Sequence, residues 1–201
     1  MAGLGAVLLD LYRETGLPEF LVTARGAFAY SRTAFAANRG AWIDLRYPHE
    51  RHGDDLSGNF GNTWCHGSGG IALAHITAAR NDAENGGAHV TLAKAALTVT
   101  AGGFRDRRYL DGFDASLCHG NLGLCEVLNL AGEMVFGDDF ANIGADMADA
   151  LLSRHGHLGD WVTDPPGHGQ NPSLLMGIFG IGHCYLRLAH PRDVAPILLL
   201  R

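Results

Sequence analysis

The chain has 201 residues, of which 47% are apolar and 18% are charged. This composition is typical of a globular protein long enough to bury a core, and it excludes a disordered or highly solvated chain. The net charge of −6 and the scattered basic residues argue against a nucleic-acid partner, and no apolar run reaches the roughly 20 residues of a membrane helix. The N-terminus also lacks the pattern of a signal peptide. We therefore expect one soluble, cytoplasmic domain over residues 1–201.

Four segments of the chain begin with closely spaced small residues and continue as an apolar run. Their starts lie about 50 to 60 residues apart, a period that accommodates a helical hairpin with its loop. The apolar residues are not confined to one face, so each segment predicts a helix that is buried on most sides. These segments cover residues 3–12, 67–74, 120–128 and 177–188.

More amphipathic stretches separate these buried segments and predict outer helices. They cover residues 18–37, 88–101 and 138–155, while loops rich in Gly, Pro, Asp and His cover residues 38–63 and 156–172. No stretch alternates apolar and polar residues for long enough to predict a sheet, although the loops can hold short strands. Inner helices that alternate with outer ones predict an all-α fold, an α/α toroid of helical hairpin repeats.

Two helix boundaries have a specific residue signature. Pro18 follows Gly16 at a distance typical of a first-turn proline after a glycine helix stop. Asp138 or Asp139 follows Gly137, and we expect one of these carboxylates to cap the next helix.

Two thiol–imidazole pairs carry the chemistry of the sequence. Cys65-His66 and Cys118-His119 each stand directly before a glycine and a predicted helix start. A helix N-terminus favours the thiolate, and thiolate with imidazole suits zinc. A catalytic zinc site uses three protein ligands and one open position. The spacing allows either Cys65, Cys118 and His119, with His66 as a proton donor or acceptor near the metal, or Cys65, His66 and Cys118.

The remaining cysteines, histidines and nearby carboxylates have simpler interpretations. We expect Cys125 and Cys184 to be packed thiols, and the five histidines of the predicted loops to be solvated. The carboxylates close to the motifs can assist acid–base chemistry or cap a turn, and the sequence does not choose among them. The loop histidines are His49, His52, His155, His157 and His168, and the carboxylates are Asp44, Asp54, Asp55 and Asp114.

The motifs together resemble those of the lanthionine synthetase C-like family in order and spacing. They are Trp64-Cys65-His66-Gly67, Cys118-His119-Gly120, and Pro172-Ser173-Leu174-Leu175-Met176-Gly177 followed by Gly180-Ile181-Gly182. Their form is most similar to the cyclase domain at the C-terminal end of bifunctional lanthipeptide synthetases. The resemblance extends over nearly the whole chain.

This resemblance implies an α/α toroid that holds one zinc ion through Cys65, Cys118 and His119. It also implies a dehydrated precursor peptide as substrate, whose cysteine thiol adds to dehydroalanine or dehydrobutyrine to form a thioether. The enolate formed by this addition requires a proton, and His66 beside the first cysteine is the candidate catalytic acid.

One feature of the related cyclases is absent from the chain. They carry a His-Gly pair ahead of the repeat that begins here at Gly3, and their full ring is roughly twice as long. We therefore expect the C-terminal portion of a cyclase, a partial ring that associates through exposed inner-helix surface. Two functions stay open: a cyclase fragment, or a non-catalytic zinc-binding module that binds a peptide or small thiol or serves as a scaffold. Other toroid enzymes fit less well, since no carboxylate pair of a glycosidase stands out.

Overall fold

The computed structural model describes residues 1–46, 60–105, 114–163 and 171–199, and these segments are mainly helical. They contain seven α-helices: α1 Ala2–Thr15, α2 Pro18–Arg32, α3 Ser68–Asn81, α4 Gly86–Arg105, α5 Asn121–Ala131, α6 Asp138–Arg154 and α7 Ile178–Ala189. The other elements there are the strands β1 Phe35–Ala36 and β2 Ala41–Trp42, a π-helical turn Gly132–Phe136, and 3₁₀ turns Leu158–Asp160 and Ile197–Leu199. None of the described helices is both long and apolar enough to cross a membrane.

Each of the seven predicted helical segments overlaps one of these helices. The predicted helix over residues 18–37 is too long, however, because α2 ends at Arg32 and the next residues pair as strands. Phe35 lies opposite Trp42 and Ala36 opposite Ala41 in an antiparallel hairpin. The apolar and aromatic residues at this point pack as a short hairpin, which the helical pattern did not reveal.

The two predicted helix boundaries have different outcomes. Gly16 adopts the left-handed conformation, with φ 68°, and its N–H donates to Tyr12 O, so α1 stops as predicted; Pro18 occupies the first turn of α2. The expected aspartate cap on α6 is wrong. Gly137 holds the cap position and no side chain bonds the free N–H groups. Asp138 and Asp139 lie in the first turn instead, where their charge still favours the helix dipole.

The chain forms two compact units, which are described separately: Met1–Asn62 with His66–Val99, and Thr63–Cys65 with Thr100–Arg201. In the first unit α1 packs against both α2 and α3. Small residues make these approaches close: a Cβ at Gly5 would lie 2.7 Å from the Phe28 ring. The core residues of this cluster are Ala2, Ala6, Leu9, Ala24, Phe28, Ala74 and Ala78.

A histidine pair is buried in the first unit beside Phe28. His75 is fully buried, His89 is 4% exposed, and their Nδ1 atoms lie 2.7 Å apart, so one nitrogen donates to the other. Burial lowers the pKa of His75 to about 3, and the neighbouring His89 adds to this effect. Burial also lowers the pKa of His89. The pair is therefore neutral in the folded protein at neutral pH.

In the second unit, α5 is buried along all eleven residues and packs against α6 and α7. A Cβ at Gly144 would lie 2.8 Å from Cys125 O, so glycine permits α6 to approach α5 closely. The thiols of Cys125 and Cys184 are buried in this unit, and burial raises the pKa of each. The prediction that they are packed thiols is confirmed.

The expectation of helices buried on most sides is correct for α3 and α5 but not for α1 and α7. On α1, exposed apolar side chains recur at Leu4, Val7 and Leu11. On α7, Phe179 is 65% exposed and Leu186 is 53% exposed. These two helices each bury one face and present apolar residues on another.

Candidate metal centre

The two thiol–imidazole pairs lie in turns of the same construction. In each turn the first helical N–H donates to a backbone carbonyl seven residues earlier: Ser68 N to Gly61 O at 3.1 Å, and Asn121 N to Asp114 O at 2.9 Å. The turn before α7 repeats this bond between Ile178 N and Asn171 O at 2.8 Å. The sequence repeat thus corresponds to a repeated turn that leads into a helix.

Glycine is required where each of these turns meets its helix. An added Cβ would lie 2.1 Å from Gly61 O at Gly67, 2.3 Å from Ser116 N at Gly120, and 1.9 Å from Asn171 O at Gly177. These are backbone atoms that cannot move aside, so a side chain would open the turn. Gly67 also has φ 124°, which disfavours any other residue.

Backbone hydrogen bonds join equivalent positions of the turns within the second unit. Cys65 N donates to Cys118 O at 3.1 Å, and Cys118 N donates to Leu175 O at 2.8 Å. Cys65, Cys118 and Leu175 each stand two residues before the glycine that precedes a helix. The main chain therefore brings the two cysteines together independently of their side chains.

Cys65, Cys118 and His119 form a candidate metal-binding group. Their ligand atoms, two sulfurs and one ring nitrogen, all lie within 4.8 Å of one another. Cys65 is exposed and Cys118 is partly buried, so the group is accessible. A tetrahedral zinc ion with Zn–S bonds of about 2.3 Å holds two sulfurs about 3.8 Å apart, a separation that falls inside this 4.8 Å limit. The residues fit a soft divalent metal with three protein ligands.

Asp114 orients the imidazole of this group. His119 Nε2 lies 2.7 Å from Asp114 Oδ2, which leaves Nδ1 as the ring nitrogen for a metal. The carboxylate is itself held in place, since Ser116 N donates to Oδ1 at 2.6 Å and Ser116 Oγ donates to Oδ2 at 2.8 Å. The sequence pointed to Asp114 only as one of several nearby carboxylates. Its position at the start of the repeated turn is the signal that distinguishes it.

His66 belongs to the first unit, where Asp44 and Arg46 are its charged neighbours. Loss of hydration and the Arg46 guanidinium lower the pKa of His66, while Asp44 opposes this effect. Asp44 forms an ion pair with Arg46, whose Nη2 lies 2.5 Å from Asp44 Oδ2. His66 is exposed, so its imidazole is accessible for proton exchange with a ligand or solvent.

The other residues considered from sequence have structural roles or lie outside the described segments. The rings of His155 and Trp161 are in contact, with centroids 4.8 Å apart. His157 caps a 3₁₀ turn, where its backbone N–H donates to Asp160 at 3.1 Å. The residues that lie outside the described segments are His49, His52, Asp54, Asp55 and His168.

A helical chain with Cys, Cys and His brought together at helix starts defines a class of protein with a candidate soft-metal site. A comparison of the sequence with models of known protein families narrows this class to one family. Residues 1–200 match the family described as lanthionine synthetase C-like protein, and the chain belongs to this family. A comparison with individually curated proteins found no match.

Proposed function

We propose that this chain is a zinc-dependent cyclase domain that forms lanthionine and methyllanthionine in a dehydrated precursor peptide. The observation that supports it is the convergence of two thiol sulfurs and one imidazole nitrogen within 4.8 Å in a chain of this family. Cys65 and Cys118 would hold zinc through their sulfurs, and His119 through the ring nitrogen opposite Asp114. Three protein ligands leave the fourth position for a substrate, as a catalytic zinc site requires.

Bound zinc would lower the pKa of a substrate cysteine thiol and thereby supply thiolate at neutral pH. The sulfur then forms a bond to the β-carbon of dehydroalanine or dehydrobutyrine, and the carbon–carbon π electrons move to give an enolate. The α-carbon takes up a proton to complete the thioether. We assign this proton delivery to His66, because it follows Cys65 directly and its imidazole is exposed.

The proposal also includes the architecture around the site. The chain would be a single domain and the C-terminal portion of an α/α toroid, most similar to the cyclase domain of bifunctional lanthipeptide synthetases. Three turns of one construction, before α3, α5 and α7, support a ring built from repeats. The exposed apolar residues of α1 and α7 support association through inner-helix surface.

Metal analysis tests the ligand assignment. The purified chain should bind about one zinc ion, and Cys118→Ala should lose it, because two ligands do not make a stable site. Cys184→Ala is the matched control, since it removes a buried thiol that lies on α7 rather than in a turn. Equal zinc content in both variants, with the fold checked by thermal unfolding, would contradict the assignment.

A cyclisation assay tests the reaction. A dehydrated precursor peptide with free cysteines is incubated with the zinc-loaded chain, and the remaining thiols are alkylated and counted by mass spectrometry. Loss of thiols that depends on Cys118 supports the cyclase. Thiols that persist beside the zinc-loaded protein contradict it and favour the alternative, a zinc-binding module that binds a peptide or small thiol.

A further inference from the structure

The four cysteines of the chain fall into two pairs that differ in accessibility. Cys65 is exposed and Cys118 is partly buried, whereas Cys125 and Cys184 are fully buried. Burial raises the pKa of the Cys125 and Cys184 thiols, which keeps them in the unreactive thiol form. A reagent from solution can therefore reach the first pair and not the second.

The sulfur atoms of the accessible pair lie close together within the second unit. Cys65 Sγ and Cys118 Sγ are within 4.8 Å of each other. A disulfide bond is about 2.0 Å long, so the two sulfurs have to approach by at most about 2.8 Å. The single torsion that positions a cysteine sulfur moves it by about 3 Å between staggered rotamers. A change of rotamer at one cysteine covers the distance.

The backbone spacing of the two residues also suits a disulfide. Cys65 N donates to Cys118 O at 3.1 Å. Covalent geometry then limits the separation of the two Cα atoms to about 7 Å, a value reached only if all the intervening atoms were collinear. Cα atoms that a disulfide links usually stand about 4.4–6.8 Å apart. The hydrogen bond therefore holds the main chain at a distance that a disulfide spans.

We propose that Cys65 and Cys118 are a site of reversible disulfide formation by a low-molecular-weight disulfide such as oxidised glutathione. The exposed Cys65 thiolate attacks one glutathione sulfur, which forms a mixed disulfide and releases one glutathione thiolate. The Cys118 thiolate then attacks the Cys65 sulfur and releases the second glutathione thiolate. The two cysteines lose two electrons and two protons in total, and the two released glutathione molecules take them up.

This modification regulates the candidate metal-binding group. A disulfide removes both thiolate ligands, and His119 alone does not hold a zinc ion. Zinc that is bound to both sulfurs conversely keeps them from exchange, so metal and disulfide compete for the same two atoms. The regulation by zinc rests on the proposed function, whereas formation of the disulfide in the zinc-free chain does not.

Exposure of the full chain to oxidised glutathione, with and without a zinc chelator, tests the proposal. After unfolding and alkylation, the zinc-free chain should carry two alkylated cysteines instead of four, and peptide mapping by mass spectrometry should link Cys65 to Cys118. With zinc at about 100 times its dissociation constant, about 1% of the chain is unloaded, so the bond should form about 100-fold more slowly. The oxidised chain should contain no zinc, and reduction with a phosphine should restore about one ion per chain.

One variant and one control separate the two steps of the exchange. Cys118→Ser should stop at the mixed disulfide, seen as the added mass of one glutathione, because the remaining thiols of Cys125 and Cys184 are buried. Cys184→Ala is the matched control, which removes a buried thiol and should form the Cys65–Cys118 bond as fast as the wild type does. A zinc-free wild type that keeps four free thiols, stops at the mixed disulfide or links Cys125 or Cys184 would overturn the proposal. Equal rates with and without zinc would instead overturn the regulation by zinc, together with the ligand assignment of the proposed function.

Discussion

Asp114 and His119 are joined across one turn, with the carboxylate Oδ2 2.7 Å from the imidazole Nε2. The contact engages Nε2 and leaves Nδ1 as the ring nitrogen for a metal. Because Ser116 anchors the same carboxylate through its N–H and its hydroxyl, the imidazole orientation is set before any metal binds.

We predict that Asp114→Asn weakens zinc binding by about 10–100-fold, because a neutral amide holds the imidazole in its orientation less firmly than the carboxylate does. Competition with a chromophoric chelator measures the change. Asp138→Asn, which removes an exposed carboxylate from the first turn of α6, should bind zinc as the wild type does. Equal affinity of the Asp114 and Asp138 variants would refute the role of Asp114.

His66→Gln should retain zinc but lower the rate of thiol loss from a precursor peptide that the wild type cyclises. Removal of a general acid typically costs about 10²–10⁴-fold in rate. Zinc content and alkylation kinetics are measured on the same sample, with the exposed His190→Gln as control. A parallel loss of zinc and activity would instead make His66 a metal ligand, the second ligand set that the spacing allows.

Two glycines of α7 form a matched pair for the repeated turn. A Cβ at Gly180 would lie 2.0 Å from Leu174 O, whereas a Cβ at Gly182 meets no atom within 4 Å. Gly180→Ala should destabilise the protein by about 1–3 kcal/mol or more, through a clash with backbone. Gly182→Ala should be stabilising by about 0.5–1 kcal/mol, because alanine loses less backbone entropy in a helix. Urea unfolding of both variants decides whether the turn is as tight as described.

The buried histidine pair predicts that the free energy of unfolding decreases as the pH is lowered. In the folded protein the pKa of His75 is lowered to about 3, so as the pH falls the unfolded chain takes up a proton before the folded chain does. The stability that is present above a pH of about 6.5 is therefore lost as the pH falls. His75 contributes a slope of up to about 1.4 kcal/mol per pH unit between these values, and His89, whose pKa burial also lowers, adds a slope of the same sign. Arg25, Arg32 and Asp82 are the charged groups that act on His89.

Chemical unfolding between pH 7 and pH 4 measures this slope. The double variant His75→Leu/His89→Leu should show a flatter profile, because no neutral imidazole then has to be protonated on unfolding. A wild-type profile that is level from pH 6.5 to pH 5 would show that the pair titrates normally.

The helices and the candidate metal-binding group followed from local patterns in the sequence. Apolar runs behind glycines marked α3 and α5, and the spacing of the cysteine–histidine pairs, with the family resemblance, singled out Cys65, Cys118 and His119. The role of Asp114 could not be read this way, since it arises when the turn folds back and brings residue 114 beside residue 119. The buried ion pair of Glu126 and Arg187 was also hidden, because it joins side chains that stand 61 residues apart in the chain.

The backbone bonds from Cys65 to Cys118 and from Cys118 to Leu175 have a consequence for altering this protein. Cys-His stands in two of the three turns, while the third has Leu175-Met176 at the matching positions. Because main-chain atoms make the turns and their connections, the chemistry at these positions can be exchanged without redesigning the scaffold. The third turn therefore offers two positions, Leu175 and Met176, where cysteine or histidine substitutions would add ligand atoms to the candidate metal-binding group.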